Sequence, residues 1–464
     1  MRRNRPCRHG LRRLVVAASL ACALSHAAAA ELSFGRAFDA ALAYDAKYRA
    51  AGHELDATRL GEPIARSALL PSVNFSAANS SVVGTRNFPN ALNQDVRIHV
   101  NYEAPQVSLS MRVPIVDIGA LAGLELAEAQ SAVAEQQLRA DGLELVDRLS
   151  GAWLQLLAAQ ETRSLQAEQV DMLTMRLAQA ERRLAQGEGT RVQVAQAQAS
   201  LEVVRSRLAE GEQQLALAMQ GITRITGLTD VSVPRLPDGA GFGDAVPDTL
   251  GGWIELAQRH SPMLQMRERL LQVARASIRR QYAGHLPRLE AVGGLSRQES
   301  DSTANIGQTA TLRSIGLQLT VPLFSGGGVD ASVRQAVSRQ LKAEEELRLE
   351  RENLVFDIQR YWQAAVGGQA RVEALLELQR SQQLALKGAE RALETGLGTA
   401  GEVADARSAL IDARRQLIEA RLNQLQAHVR LQLRAGVPMS ELVAYVDRQW
   451  QQAPAIGATT GSKP

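Results

Sequence analysis

Leu184-Ala185-Gln186-Gly187-Glu188-Gly189-Thr190 and Leu393-Glu394-Thr395-Gly396-Leu397-Gly398-Thr399 decide how this chain is read. In each, a long run of helical periodicity stops at Gly-x-Gly-Thr, and another run begins directly after it. A glycine just past the last helical residue takes the left-handed conformation that ends a helix. The threonine, with Gln193 or Glu402 three residues on, forms a capping box that starts the next helix. Both stretches are therefore tips of helical hairpins.

The two hairpins keep one register over a long distance. Trp153 and Trp362, Gly187 and Gly396, Ala197 and Ala406, Leu201 and Leu410, and Gly227 and Gly436 all differ by 209 positions. A chance match does not hold one offset from end to end, so the chain carries an internal duplication. The period is far longer than that of a solenoid array.

Working outward from the tips, helical spacing runs back to Asp117 and forward to Gly227, giving a first hairpin over 117–227. At 1.5 Å per residue its outgoing arm is a rod of about 100 Å. Leu138, Leu145, Leu149, Trp153 and Leu156 mark a seam with coiled-coil spacing. The returning arm is about half as long, and the N-terminal helix, Leu32–Ala68 with a break at Gly61 and Pro63, is expected to stack end to end with it.

Between that helix and the rod the period changes to two. Val73, Phe75 and Ala77 alternate with Ser72, Asn74 and Ser76, and Val107, Leu109, Met111, Val113 and Ile115 alternate with Ser108, Ser110, Arg112 and Pro114. Such dyads predict strands at 70–82 and 105–116, each with one apolar face and the length of a tilted membrane strand. The polar segment from Ser80 to Gln106 reads as a loop.

The second half repeats the plan. A Pro- and Gly-rich linker, 228–252, leads to a helix from Trp253 to about Gly284 and strands at 286–297 and 311–324. A polar loop, Gln298 to Gln308, separates these strands. The second hairpin covers 326–436, and a tail, 437–464, is expected to be partly disordered. The first repeat thus spans 31–227 and the second 253–436.

Residues 1–30 stand apart. Arg2, Arg3, Arg5, Arg8, Arg12 and Arg13 precede an apolar run and Ala28-Ala29-Ala30, the pattern of a secretory signal peptide. Without these six of the 52 basic residues, the 49 acidic ones are in excess by three, so no basic footprint for nucleic acid remains. Both cysteines, Cys7 and Cys22, lie in the signal. His53, His99, His260, His285 and His428 are scattered without ligand spacing, and Gly326-Gly327-Gly328 lacks the Lys-Ser/Thr of a phosphate loop. Neither a metal, a cofactor nor a catalytic constellation is expected. No apolar run after the signal is long enough for a spanning helix, which leaves the dyad strands to meet the membrane.

Four one-sided strands cannot close a barrel, and lipid does not tolerate an open sheet edge. Several chains must share one barrel. A periplasmic coiled-coil scaffold is the alternative of another class, and it gives no reason for the dyads.

The chain resembles the TolC family of outer-membrane export ducts. The likeness rests on Ala65-Arg66-Ser67-Ala68-Leu69-Leu70-Pro71, Arg224-Ile225-Thr226-Gly227, Gly284-His285-Leu286-Pro287 and Val321-Pro322-Leu323-Phe324-Ser325-Gly326-Gly327. To these it adds the paired tips with Val194 and Val403 just beyond. This resemblance implies a homotrimer whose twelve-stranded β-barrel continues into an α-helical coiled-coil tunnel. The duct would sit in the outer membrane of a Gram-negative bacterium with its helices in the periplasm. It would passively serve a periplasmic adaptor and an inner-membrane ABC exporter or proton-driven pump. Type I secretion of a protein toxin or adhesin is the favoured role, with multidrug efflux as the alternative.

The resemblance further implies that the tips, Gly187, Gly189, Thr190, Gly396, Gly398 and Thr399, dock the adaptor, and that Glu402 and Asp405 face the pore as a gate and selectivity ring. Read on residues alone, Glu402 is a capping-box member and Asp405 a solvated neighbour at a helix start. The first tip carries Gln193 and Gln196 at the matching places, so the ring would be single-sided. At the positions where relatives keep a tyrosine, an arginine and an acid as a latch, this chain has Leu393, Gly398 and Gln193. Closure must then use other contacts, with Arg191 and Arg391 in reach of the turns.

Overall fold

The computed structural model describes residues 32–89, 92–229, 233–234, 247–302 and 305–451. The expected signal peptide, most of the linker and the end of the tail fall outside them. In chain order the elements are α1 (Phe34–Tyr44), α2 (Ala46–Arg59), α3 (Gly61–Ser67), β1 (Ser72–Pro89), β2 (Asp95–Asp117), α4 (Ile118–Ala185) and α5 (Arg191–Thr226). The second half follows as α6 (Leu250–His260), α7 (Pro262–Tyr282), β3 (Arg288–Ser302), β4 (Asn305–Thr320), α8 (Gly328–Glu394), α9 (Ala400–Ala435) and α10 (Met439–Gln451). The chain divides into two compact units, one made of Ala50–Ala140 and Pro262–Leu354 and the other of the remainder.

The hairpin unit holds both tips and the main core. On α4, Leu145, Leu149, Trp153 and Leu156 are buried, packed with Phe34 and Phe38 of α1, Ile222 and Ile225 of α5, and Leu425 and Val429 of α9. Phe34 and Trp450 both meet the Trp153 ring edge-on, at 5.6 and 6.3 Å between centroids. Trp362, the repeat counterpart of Trp153, is only half-buried, so the duplicated tryptophans do not share one role.

Where α5 ends, α1 and α2 take over its place along α4. Gly227 closes α5 against the ring of Tyr44 at the end of α1, and ion pairs from Asp45 to Arg148 and from Lys47 to Glu144 carry the contact along. Asp45 also breaks the helix expected over 32–68, in which the sequence predicts a break only at Gly61 and Pro63. Its carboxylate accepts from the Tyr48 N–H at 2.8 Å, starting α2, and from both Arg148 terminal nitrogens at 2.8 and 2.9 Å. Those Arg148 hydrogen bonds hold the Asp45 carboxyl below its ordinary range despite its burial.

The tail, expected to be partly disordered, carries a helix at its start. Met439–Gln451 is a helix whose Leu442 and Val446 are buried in the same core, and Trp450 Nε1 donates to the Pro234 carbonyl at 3.3 Å. Likewise the helix expected from Trp253 to Gly284 is two helices, broken at Ser261 and followed by a short 3-10 turn at Ala283–His285.

The other unit carries one four-stranded antiparallel sheet of order β1-β2-β3-β4. Its strands run well past the predicted bounds of 70–82, 105–116 and 286–297, and β4 starts earlier and stops sooner than 311–324. The segments Ser80–Gln106 and Gln298–Gln308, expected as loops, are mostly strand. Backbone pairing satisfies polar residues as well as apolar ones, so composition alone misplaced these ends. Beside the sheet, α7 is tied to α4 by Arg279 and Glu125, 2.8 Å from Nε to Oε2, and to α8 by Arg267 and Glu346 at 3.0 Å.

Candidate functional site: the hairpin tips and the sheet

The two tip turns have the same geometry. Gly187 and Gly396 sit at φ 80° and 75°, the left-handed region that glycine enters without steric cost. Behind them Glu188 N–H donates to the Arg183 carbonyl and Leu397 N–H to that of Ala392, both at 2.9 Å, the long-range closing bond of a helix C-terminus. Gly189 and Gly398 are needed for space rather than φ, since a Cβ on either would press within about 3 Å of the preceding helical turn. Thr190 and Thr399 then accept from the N–H of Gln193 and Glu402, whose side chains accept in return from the threonine N–H at 3.0 and 3.1 Å. Both capping boxes are complete.

Around this shared backbone the side chains differ. Leu397 stands where the first turn has Glu188, and it is 88% exposed, a large apolar side chain held out at the tip. Sequence reading passed over it, although comparing the two turns position by position would have found it. Glu402 is exposed while serving its cap. Asp405 is directed toward Arg176 of α4, 3.8 Å away, and lines the groove between the two hairpins of its own chain. That groove, lined by Arg176, Arg183, Gln193, Gln196 and Thr399, encloses about 740 Å³ near the tips and continues past Asp405. At its floor Met172, Leu173, Leu201, Val204 and Ala404 form an apolar cluster that joins the hairpins.

The sheet supplies a second surface. Cross-strand register places Val73, Met111, Gly293 and Ile315 in one row, Phe75, Leu109 and Leu295 in the next, which ends on Arg313 at the edge strand, and Leu289 with Leu319 in another, all on one face. Phe75, Ile315 and Leu317 are 70, 91 and 71% exposed. The opposite face carries Ser72, Asn74, Ser76, Ser108, Ser110 and Arg112, with the Ser76 and Ser108 hydroxyls hydrogen-bonded at 2.7 Å. One face suits hydrocarbon and the other water, as on a stave of a membrane barrel. Among the described residues no helix is long and apolar enough to cross a membrane.

The model of the family described as "Outer membrane efflux protein" matches residues 37–228 and 253–437. The chain belongs to this family. Proteases secretion protein PrtF of Dickeya chrysanthemi is 29% identical over 467 residues, covering 98% of this chain and 100% of the relative. Alkaline protease secretion protein AprF of Pseudomonas aeruginosa is 25% identical over 86% of this chain and 83% of its own. The CmeC outer membrane channel of Campylobacter jejuni, a solved structure, superposes with a TM-score of 0.75 at 15% identity, over 90% of this chain and 89% of that one, and so shares the fold. The resemblance read from the motifs is correct, and this efflux protein is an outer-membrane transport component with helices extending into the periplasm, not a catalyst. Channels of its kind work in tripartite systems with an adaptor and an inner-membrane pump.

Proposed function

We propose that three copies of the chain close one twelve-stranded barrel, and that the resulting duct carries a secreted protein outward from an inner-membrane ABC exporter and its periplasmic adaptor. The observation that carries this reading is the sheet itself: one face is apolar, and β1 and β4 are both edges. Edge N–H and C=O groups left open in lipid cost several kcal/mol each, about what forbids an isolated stave. Pairing β4 of one copy with β1 of the next removes every edge. Protein cargo is favoured by the likeness to two relatives named for protease secretion.

Extraction of outer membranes is expected to yield a trimer that resists mild detergent and falls apart on heating; a monomer in the soluble periplasmic fraction would reject the duct. Deleting the gene is expected to abolish secretion of a protein cargo and leave drug susceptibility unchanged. The reverse outcome assigns the chain to small-molecule efflux with a proton-driven pump.

At the tips, Gly187, Gly189, Thr190, Gly396, Gly398 and Thr399 hold the shape that an adaptor would meet, with Leu397 as the apolar anchor. Repeated around a three-fold axis, Glu402 and Asp405 form a ring of carboxylates that favours cations. Replacing both with their amides, Glu402→Gln and Asp405→Asn, keeps the cap and is expected to lower cation over anion preference several-fold in planar bilayers. An unchanged reversal potential removes the ring assignment and leaves Asp405 as the partner of Arg176.

A further inference from the structure

Beyond Gln106 the sheet narrows from four strands to two. β3 pairs with β2 over Gln106–Asp117 only, whereas β1 follows β2 outward until Pro89 faces Asp95. The β2 segment from Asp95 to Pro105 therefore belongs to a two-stranded ribbon about 35 Å long at 3.3 Å per residue. The ribbon projects from the strand ends that are not joined to helices, which puts it on the outer side of the membrane.

The polarity of the strand inverts at this step. In the four-stranded part the odd-numbered residues of β2, Val107, Leu109, Met111 and Val113, form the apolar face, and Gln106, Ser108, Ser110 and Arg112 the polar one. In the ribbon the even-numbered residues Val96, Ile98, Val100 and Tyr102 are apolar and half-buried, while Arg97, His99, Asn101 and Glu103 are polar and exposed. β1 matches this only in part, since Arg86 stands opposite Ile98, Gly84 opposite Val100 and Val83 opposite Asn101. Phe88 faces Val96 and Val82 faces Tyr102, whereas Asn87 faces Arg97 and Thr85 faces His99. On the polar side Arg97 Nε donates to Asn87 Oδ1 at 3.2 Å, and Asn79 Nδ2 donates to Glu103 Oε2 at 3.1 Å. The β1–β2 register runs through without a bulge, so the inversion lies in the sequence and not in the backbone. The backbone face that is polar, and turned to the lumen, within the membrane is the apolar face of the ribbon.

A two-stranded ribbon in water is marginal by itself, and an apolar row of this size calls for a cover. Lipid is on the wrong side, because the apolar face continues the lumen face. Pro105, placed where four strands become two, cannot donate a ladder hydrogen bond, which weakens the sheet where the ribbon would have to lean. Among the described residues the outer part of the β3–β4 pair offers no such apolar row on β3, whose sequence past Gln298 reads Glu299-Ser300-Asp301-Ser302. What three-fold symmetry brings to the axis is therefore the same ribbon from the two neighbouring copies.

We propose that the three β1–β2 ribbons lean across the outer mouth of the duct and pack their apolar faces, Val82, Phe88, Val96, Ile98, Val100 and Tyr102, against one another as an apolar constriction. An apolar constriction excludes ions by dewetting and opens to a cargo that parts it. This rests on the trimer proposed above.

The only cysteines of the chain are Cys7 and Cys22, both in the expected signal peptide, so introduced thiols report alone. Trimers of full-length I98C and, separately, V100C are purified from outer membranes and oxidised with a copper catalyst. A disulfide needs Cα atoms within about 7 Å. Both variants are expected to shift from monomer to reducible covalent dimer on denaturing gels, with the third chain left unlinked, in several-fold excess over T85C and H99C on the opposite face. An intact trimer with no dimer from either I98C or V100C, as expected if cargo or lipopolysaccharide covers the ribbon, overturns the constriction alone. Equal cross-linking from both faces overturns it too, and loss of the trimer in the unsubstituted protein overturns it together with the barrel.

Discussion

In the first half of the molecule, α5 ends at Gly227 against the ring of Tyr44; in the second, α9 ends at Gly436 against the backbone of His260 and Ser261. The joints are otherwise alike. Both glycines are left-handed, at φ 73° and 79°. Both entry helices start on a hydroxyl cap, Ser33 or Thr249, and both end with the same backbone angles, φ −59° and ψ 116°, at Asp45 and Ser261. Around the joints the side chains have separated. The repeat position of Arg148 is Asp357, so the first half holds Asp45 with Arg148 and the second holds Asp357 with Arg434, 3.1 Å apart. Residues that set backbone direction persist across the duplication, because only one or two residue types satisfy them. Contacts made by side chains have been rebuilt in each half.

Substitution at the joints tests this comparison most severely. Gly436→Ala adds strain at positive φ and drives a Cβ into the His260 carbonyl, which is backbone and cannot swing aside, so a loss of about 3 kcal/mol or more is expected. Gly227→Ala meets the Tyr44 ring, which can rotate, and about 1–2 kcal/mol is expected from strain alone. Thermal unfolding of the purified protein in detergent reads both, and equal losses would show that Tyr44 is held as firmly as backbone.

Removing Arg148 comes next. The Asp45 side chain is 7% exposed, and Arg148→Ala leaves its carboxylate without the bidentate partner, a cost of about 2–3 kcal/mol. Because Arg148 lowers the Asp45 pKa in the folded chain, the pair's stabilisation is complete above the ordinary carboxylate range. It is lost as pH falls through the lowered folded value. Arg148→Ala is therefore expected to flatten the acid side of the stability profile, and an unchanged slope would deny the pair its role.

The smallest effect distinguishes the tips. Thr190→Ala and Thr399→Ala each remove a capping box, for about 1 kcal/mol apiece. The second box uses a carboxylate at a helix N-terminus and the first an amide. Only the Thr399→Ala loss is therefore expected to shrink as salt is raised.

Much of this architecture was legible because glycine and capping requirements are local. The tips, both hairpins and the membrane face of the sheet follow from residues within a few positions of one another. Asp45 was not legible as a break, since an aspartate within a helical run gains meaning only from Arg148, far along the chain. The C-terminal helix was missed although Leu442 and Val446 have helical spacing, because the flanking polar residues hid its single buried stripe. The outer ribbon was read as loop for a related reason: its alternation, Val96, Ile98, Val100, Tyr102, is clear but out of phase with the membrane strand it extends. At the tips, residue types gave Glu402 its cap, while the pairing of Asp405 with Arg176 needed the fold to bring α4 beside α9.

Helix α9 is buried almost all round from Leu417 to Ala435 and only sparsely before Leu410. A lever clamped along half its length can bend only in the free half. Displacement of the second tip must then be absorbed in the few turns between Ala400 and Leu410, where Ala404 is the sole buried side chain before Leu410. Stiffness is thus graded along one uninterrupted helix, with no hinge residue needed to mark where the compliant part begins.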